Sequence, residues 1–172
     1  MHNNFLLHPT ELRHEWRELR KQLATNAAEL SHYQTVIDWW CPAPLGKRYL
    51  DYTTCAMWPD PWTMIDRKEF DVNSISLCMF YTLLFADGGR WDSERLSLAV
   101  VVNRKYSTEQ LVCVVDGEWL LGYNHSQLIN FKDQSDIEYL QTYNYNSNLR
   151  CIEETILWKF KDTVETAELQ LQ

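Results

Sequence analysis

Apolar side chains recur every three or four residues between positions 12 and 40, which is the pattern of one face of an α-helix. The face consists of Leu12, Trp16, Leu19, Leu23, Asn26, Leu30, Tyr33, Ile37 and Trp40. We predict a single amphipathic helix from about Thr10, its N-cap candidate, to Trp40, because the prolines at 42 and 44 prevent its continuation. Such a helix is about 45 Å long, so it would project from a small domain.

Asn26 is the one polar residue in this apolar face. A polar residue at such a position costs stability but fixes the register or the oligomeric state of packed helices. The pattern therefore favours self-association or the docking of a partner along the helix. The alternative is that the helix wraps its own domain and breaks near Thr25 and Asn26.

Residues 71–86 are apolar on nearly every face, which predicts a central helix covered on several sides. Asp71, Asn73 and Ser74 are its N-cap candidates, and the glycines at 88 and 89 end it. Three apolar segments follow and predict β-strands: residues 96–102, 111–115 and 118–123. The Asp-Gly pair between the last two is a strong hairpin signal, so we expect an antiparallel three-stranded meander packed on the central helix.

The end of the chain has a weaker pattern. Residues 124–146 are polar and rich in tyrosine, and no element is assigned to them. A final apolar stripe predicts a C-terminal helix from about Asn148 to Leu169. The fold class is therefore α+β, with a helical segment over residues 1–50 and an α+β body over residues 51–172.

Residues 39–62 contain four of the five prolines and four of the eight tryptophans. Proline restricts the backbone, so this segment is predicted to be an ordered but irregular arm. It is too aromatic to stay solvated, and we expect it to lie over the body with its tryptophans packed into it. The alternative is an aromatic platform for a sugar or a proline-rich ligand, on which Trp58 and Trp62 would stack.

The chain has 172 residues and a formal net charge of −8, with 45% hydrophobic and 13% aromatic residues. This composition suits one domain with an appendage and excludes a disordered chain. The charge is uneven, since residues 1–50 carry +1 and residues 51–172 carry −9. An acidic chain is a poor binder of nucleic acid. No apolar run is long enough to span a membrane, and the N-terminus lacks the basic region of a signal peptide.

Five cysteines are spread along the chain without a Cys-x-x-Cys pair or a Cys/His cluster. The zinc patterns are therefore absent, and no metal or other cofactor is predicted. An odd number of thiols, with Cys78 and Cys113 in apolar segments, indicates reduced cysteines in a reducing compartment. Glycine-rich phosphate-binding motifs and the G-x-S-x-G motif are absent as well.

A central helix followed by antiparallel strands resembles the cores of papain-like and transglutaminase-like enzymes. The resemblance implies a catalytic Cys at the start of the helix, a His at the start of the next strand and an Asp or Asn beyond it. Neither residues 71–76 nor residues 95–97 contain a Cys or a His, so we predict a non-catalytic version of this fold. The alternative is a cysteine hydrolase or acyl transferase that pairs Cys55 or Cys78 with His125.

The segment 58–65 and the helix after it are similar to an uncharacterised protein family of tailed bacteriophages. The similarity lies in a W-P-x-P-W block, from Trp58 to Trp62, ahead of an apolar helix of the S-I-x-L-x-M-x-Y-T-L type. It covers roughly residues 39–123 and carries no catalytic residue. It implies a phage gene product that is made in the host cytoplasm and built into the particle.

We therefore predict a non-catalytic structural or assembly protein of a tailed phage, located in the virion or, during assembly, in the host cytoplasm. Its partners would be other phage structural proteins or a second copy of itself. The N-terminal helix and the arm would supply the partner contacts: Trp16, Leu23, Asn26, Leu30, Trp39, Trp40, Trp58 and Trp62. A third possibility is a phage protein that neutralises a basic host protein through its acidic face.

Overall fold

The structure, a computed structural model, describes residues 3–25 and 28–145 and the backbone of residues 151–154. Its helices are α1 (Pro9–Gln22), α2 (Glu29–Trp40), α3 (Pro61–Arg67) and α4 (Val72–Leu84). Its strands are β1 (Leu96–Asn103), β2 (Thr108–Val115), β3 (Trp119–Asn124), β4 (Gln127–Asn130), β5 (Ile137–Tyr145) and β6 (Cys151–Glu154). Short 3-10 turns lie at Asn4–Leu6, Cys55–Met57 and Phe131–Asp133. The predicted α+β class is confirmed.

The six strands form one antiparallel sheet in the order β4-β3-β2-β1-β5-β6. Strands β1 and β2 pair along their whole length, from Leu96 opposite Val115 to Asn103 opposite Thr108. The three strands predicted from the sequence are thus β1, β2 and β3. Strand β5 comes from the tyrosine-rich segment and joins the sheet on the other side of β1.

Strand β6 corrects the prediction of a C-terminal helix from Asn148. Residues 151–154 pair with β5, with Cys151 opposite Tyr145. An apolar residue at every third or fourth position does not impose a helix where a neighbouring strand offers an edge to pair with. The rest of that prediction lies outside the described residues.

The predicted single helix of residues 10–40 is two helices, α1 and α2. Helix α1 starts one residue earlier than expected because its N-cap is His8, whose Nδ1 accepts a hydrogen bond from the Thr10 N–H, while Glu11 completes a capping box. The break between the helices falls near Asn26, which itself lies outside the described residues. A division of the chain at residue 50 stays a prediction.

Thr82 of α4 explains why α1 and α2 lie on the body and do not project from it. Its Oγ1 accepts hydrogen bonds from the indole nitrogens of Trp16 and Trp40, each at 2.9 Å, and donates to the Cys78 carbonyl at 2.7 Å. The side chains of both tryptophans and of Thr82 are completely buried. One apolar core therefore joins α1, α2, α4 and one face of the sheet, and a smaller core covers the other face.

Candidate functional site

The first turn of α4 is where the transglutaminase-like resemblance implies a thiol, and the structure places a capping box there. The Asp71 carboxylate accepts a hydrogen bond from the Ser74 N–H at 2.7 Å, and Ser74 Oγ accepts one from the Asp71 N–H at 2.7 Å. Asn73 is buried, and its Oδ1 accepts a hydrogen bond from the Leu111 N–H of β2 at 2.8 Å. These polar side chains cap the helix and fix it to β2.

A cavity of about 420 Å³ opens beside this turn, between α3, the start of α4 and the arm of residues 39–62. Its apolar lining consists of Tyr49, Leu50, Met57, Trp58, Pro59 and Met64. The side chains of Tyr49 and Met57 are exposed by 64% and 78%. Both are therefore available to a molecule that enters the cavity.

Four charged side chains line the same cavity: Arg48, Asp51, Arg67 and Glu69. Arg48 and Glu69 form an ion pair at 3.7 Å. Hydrogen bonds from the hydroxyl and the backbone N–H of Thr53 to Asp51 Oδ1 lower the pKa of Asp51, so this carboxylate stays ionised. Arg67 forms no ion pair within the part of the chain that the structure describes, so its guanidinium is available to an incoming group, while the four charges of the lining sum to zero.

The arm is fixed to β5 by aromatic contacts and hydrogen bonds. Trp58 Nε1 donates to the Asp51 carbonyl at 2.8 Å, and the Trp58 ring meets the Tyr143 ring edge-on with 4.9 Å between centroids. The Tyr143 hydroxyl in turn donates to the Tyr52 carbonyl at 2.8 Å. The arm thus packs over the body as expected, and one side of Trp58 remains a wall of the cavity.

Two of the four cysteines with described side chains are inaccessible. Cys78 and Cys113 are completely buried, and burial raises the pKa of both thiols. Cys78 lies inside α4 with its Sγ 3.7 Å from Met64 Sδ. A thiol that burial keeps protonated is a poor nucleophile, so Cys78 is excluded as a catalytic candidate.

Cys55 and His125 lie in different parts of the molecule. Cys55 is half-buried in the 3-10 turn that contacts β6, whereas His125 follows β3 in the turn to β4. Strands β2, β1 and β5 separate β3 from β6 in the sheet. The structure therefore does not form the Cys55–His125 pair considered from the sequence.

His125 lines a second cavity, together with Val72 and Gln110. Gly122 stands beside it with a φ of +89°, and a Cβ at this position would collide with Ser76 Oγ. Strand β3 therefore needs glycine to pass so close to α4. The cavity measures about 70 Å³, which is room for about two water molecules and too little for a substrate.

The residues predicted as partner anchors have unequal exposure. Three are completely buried: Trp16, Leu23 and Trp40. Two are half-buried: Trp39 and Trp58. Two are exposed by more than 40%: Leu30 and Trp62. Asn26 lies outside the described residues, and the three buried side chains contact the core and are not available to a partner.

Within the described residues, no three His, Cys, Asp or Glu side chains cluster as metal ligands would. None of the helices that the structure describes is long and apolar enough to cross a membrane. Self-association and the location of the protein stay predictions.

The central helix and the antiparallel sheet that follows it form a fold that is shared with a solved protein structure. Among solved structures, LapG of Legionella pneumophila matches with a TM-score of 0.59 at 14% identity, over 77% of this chain and 71% of that chain. Calcium-bound LapG matches with a TM-score of 0.60 at 13% identity, over 77% and 73% of the two chains. No family model and no curated protein sequence matches the chain.

The match to LapG corrects the function predicted from the sequence. LapG is a cysteine protease, which contradicts both the non-catalytic structural role in a phage particle and the prediction that the chain is not an enzyme. These matches contain nothing that points to a phage protein. At 14% identity the match establishes the fold alone, so the chemistry has to follow from this chain's own residues.

The cavity and its charged lining are absent from the sequence predictions. The arm follows no period of two or of 3.6, because it is held by individual contacts to α4 and β5. One signal in the sequence could have indicated the charged lining. Arg48 and Arg67 flank residues 49–66, a segment without a basic residue.

Proposed function

We propose that the chain is a hydrolase or acyl transferase of the transglutaminase-like type that takes a polypeptide segment into the cavity beside α4 and uses Cys55 as its nucleophile. The observation that carries this proposal is the cavity, whose volume of about 420 Å³ lies in the usual range of small-ligand sites. It opens at the first turn of the central helix, where the resemblance implies the active site. The match to LapG supports the same class of reaction.

Cys55 is the thiol nearest to the cavity along the chain, although it is not itself one of the lining residues. It follows Asp51 and precedes Met57 in the arm, and both of these residues line the cavity. The first turn of α4 has no thiol, and Cys78 is buried. Cys41 is half-buried too, but it is the C-cap of α2, where the negative end of the helix dipole disfavours a thiolate.

In the proposed step, the Cys55 thiolate attacks a substrate carbonyl carbon, and an S–C bond forms as the C–N bond to the leaving amine breaks. The amine takes up a proton equivalent to the one that the thiol lost. Water then hydrolyses the thioester, or a second amine accepts the acyl group, and Cys55 recovers its proton. Because His125 lies elsewhere, these protons exchange with solvent.

Two serine substitutions test the assignment. A peptide capped with a chloroacetamide is expected to alkylate Cys55 of the folded protein faster than Cys41, and faster than Cys55 of the denatured protein. In a fluorogenic peptide library, Cys55→Ser should abolish turnover, whereas the matched control Cys41→Ser should retain it. Circular dichroism of both variants verifies that they are folded.

Two results would show that this assignment is wrong. One is equal alkylation of Cys55 and Cys41 in the folded protein, measured by peptide mapping. The other is turnover by a folded Cys55→Ser variant at the rate of the wild type.

A further inference from the structure

We infer that the segment bound in the cavity beside α4 carries a single carboxylate next to a large apolar side chain. This inference rests on the proposed function, because it names the substrate class of the same cavity. Two features of the lining carry it, namely one guanidinium without an ion pair among the described residues and an exposed apolar rim.

The lining contains two arginines and two carboxylates, and Arg67 is the arginine that has no ion pair among the described residues. Arg48 pairs with Glu69 at 3.7 Å, and the ionised Asp51 carboxylate accepts two hydrogen bonds from Thr53 at one of its oxygens. Arg67 is exposed at the end of α3, with no ion pair in the part of the chain that the structure describes. A guanidinium binds a carboxylate through two parallel hydrogen bonds, so arginine is a better partner for a Glu or Asp side chain than lysine is.

Lys68, the next residue along the chain, does not compete for the same anion. Its ammonium donates hydrogen bonds to the backbone carbonyls of Phe5 and Leu7. Lys68 adopts a left-handed conformation with φ of 50° as the C-cap of α3. The two neighbouring cations therefore have different tasks, since Lys68 holds the N-terminal segment and Arg67 lines the cavity.

The apolar rim supplies the second half of the specificity. Met57 and Tyr49 are exposed by 78% and 64%, and the indole N–H of Trp58 is already occupied by the Asp51 carbonyl. These three side chains present an aromatic and thioether surface to a ligand, and the Tyr49 hydroxyl is the polar group on it. Exposed apolar side chains gathered around a cavity are typical of a binding site, and an aliphatic or aromatic side chain fits this surface.

A ligand with many negative charges is a poorer fit. Asp51 and Glu69 stand in the same lining, and the whole chain carries a net charge of −8. Both would repel a polyanion, whereas a single carboxylate can pair with Arg67. The lining thus favours an isolated acidic residue in an otherwise neutral peptide.

Peptide binding to the Cys55→Ser variant tests this inference without turnover. The probes are fluorescein-labelled Ala-Ala-Glu-Phe-Ala-Ala and its counterparts with Gln or Lys in place of Glu, measured by fluorescence anisotropy. We expect the Glu peptide to bind about 3-fold more tightly than the Gln peptide, because an ion pair at an exposed guanidinium is weak. The preference for Glu over Gln should shrink between about 50 and 500 mM salt, because salt screens the ion pair between Arg67 and the peptide carboxylate.

Arg67→Gln, combined with Cys55→Ser, should remove the preference for Glu over Gln and leave the affinity for the Gln peptide unchanged. The matched control is Arg17→Gln, which removes the same charge from an exposed position on α1 and should keep the preference. Tyr49→Ala should weaken the Glu and Gln peptides equally. Equal affinity for the Glu and Gln peptides, or equal loss of preference in both arginine variants, overturns the inference.

Failure of the inference and failure of the proposed function give different results. Turnover that depends on Cys55 but not on the Glu residue overturns the inference alone. Selective binding of the Glu peptide without any turnover of it by the wild type supports the inference and contradicts the proposed function.

Discussion

Two regions of this molecule use tryptophan in opposite ways. Beside Thr82, Trp16 and Trp40 are completely buried and donate their indole N–H groups to one hydroxyl. In the arm, Trp58 is half-buried, donates to a backbone carbonyl and leaves part of its ring as a cavity wall. A surplus of tryptophan in a sequence therefore indicates contacts, but it does not distinguish a core from a binding site. A core tryptophan is surrounded by protein on every side, whereas a tryptophan in a binding site keeps one side of its ring open.

The largest effect should come from removing a core tryptophan. Trp16→Ala is expected to lower the free energy of unfolding by about 3–5 kcal/mol, because a large cavity is left in the core. Trp58→Ala should cost less, about 1–2 kcal/mol, because part of that ring already faces the open cavity. Urea unfolding followed by far-UV circular dichroism measures both. Equal losses would contradict the difference drawn between the two regions.

A somewhat smaller effect is expected from Thr82→Val, which keeps the shape of the side chain and removes its hydroxyl. Two buried indole N–H groups lose their acceptor, and each costs about 1–2 kcal/mol, so the free energy of unfolding should fall by about 2–4 kcal/mol. Thr108→Val, at an exposed position at the start of β2, is the control and should change little. A loss below about 0.5 kcal/mol would show that the shared acceptor does not hold the two helices.

The helical region should also respond to acid through Glu29. Hydrogen bonds from Arg95, with a further contribution from Arg90, lower the pKa of Glu29 in the folded protein. A carboxyl group with a lowered folded pKa stabilises the protein above its unfolded pKa, and this contribution is lost as the pH falls through the folded pKa. Glu29→Gln should therefore lower the Tm by about 2 °C at neutral pH and by less at about pH 3.

Thermal unfolding at both pH values measures this difference. The control is Glu15→Gln on α1, because Glu15 forms no ion pair within the described residues. If Glu29→Gln lowered the Tm equally at both pH values, the effect would come from packing and not from the ion pair.

The smallest effect on stability is expected at the rim of the cavity. Tyr49→Ala and Met57→Ala should each change the free energy of unfolding by less than about 0.5 kcal/mol, because both side chains are mostly in solvent. The double variant that combines them should therefore stay folded. The same double variant should lose peptide affinity. A large loss of stability would assign these two residues to the core and not to a binding site.

The elements that the sequence predicted well are those with strong local signals. Helix α4 was expected over residues 71–86 and spans Val72–Leu84, since an all-round apolar segment and the Asp71 N-cap act within a few residues. The β2–β3 hairpin follows from Asp116 and Gly117, both of which adopt a positive φ in the turn. Strand β5 has no such signal, because tyrosine takes the place of an aliphatic residue on its inward side. The hydroxyl of Tyr145, for example, lies 2.7 Å from that of Tyr81, and this contact is not visible in the sequence.

The prediction of one long helix failed for a physical reason that lies outside that segment. The same periodic face is compatible with a straight projecting helix and with two helices folded onto a core. The Thr82 hydroxyl, more than forty residues away from Trp16, favours the second arrangement by accepting both indole N–H groups. The aromatic anchors were assigned to a partner in the same way, and the partner of several of them is the protein's own core.

The sequence by itself determined the class of the fold, the central helix with its cap and the order of the first three strands, because these depend on neighbours within one or two turns. It also showed that the helix start carries Asp71 and Ser74 and not a thiol. Only the tertiary structure decided that residues 48–74 enclose a cavity and that Arg67 stands in it without an ion pair to any other described residue. A cavity depends on how distant segments meet, and such contacts, like that of Lys68 with the Phe5 carbonyl, leave no periodic trace in the sequence.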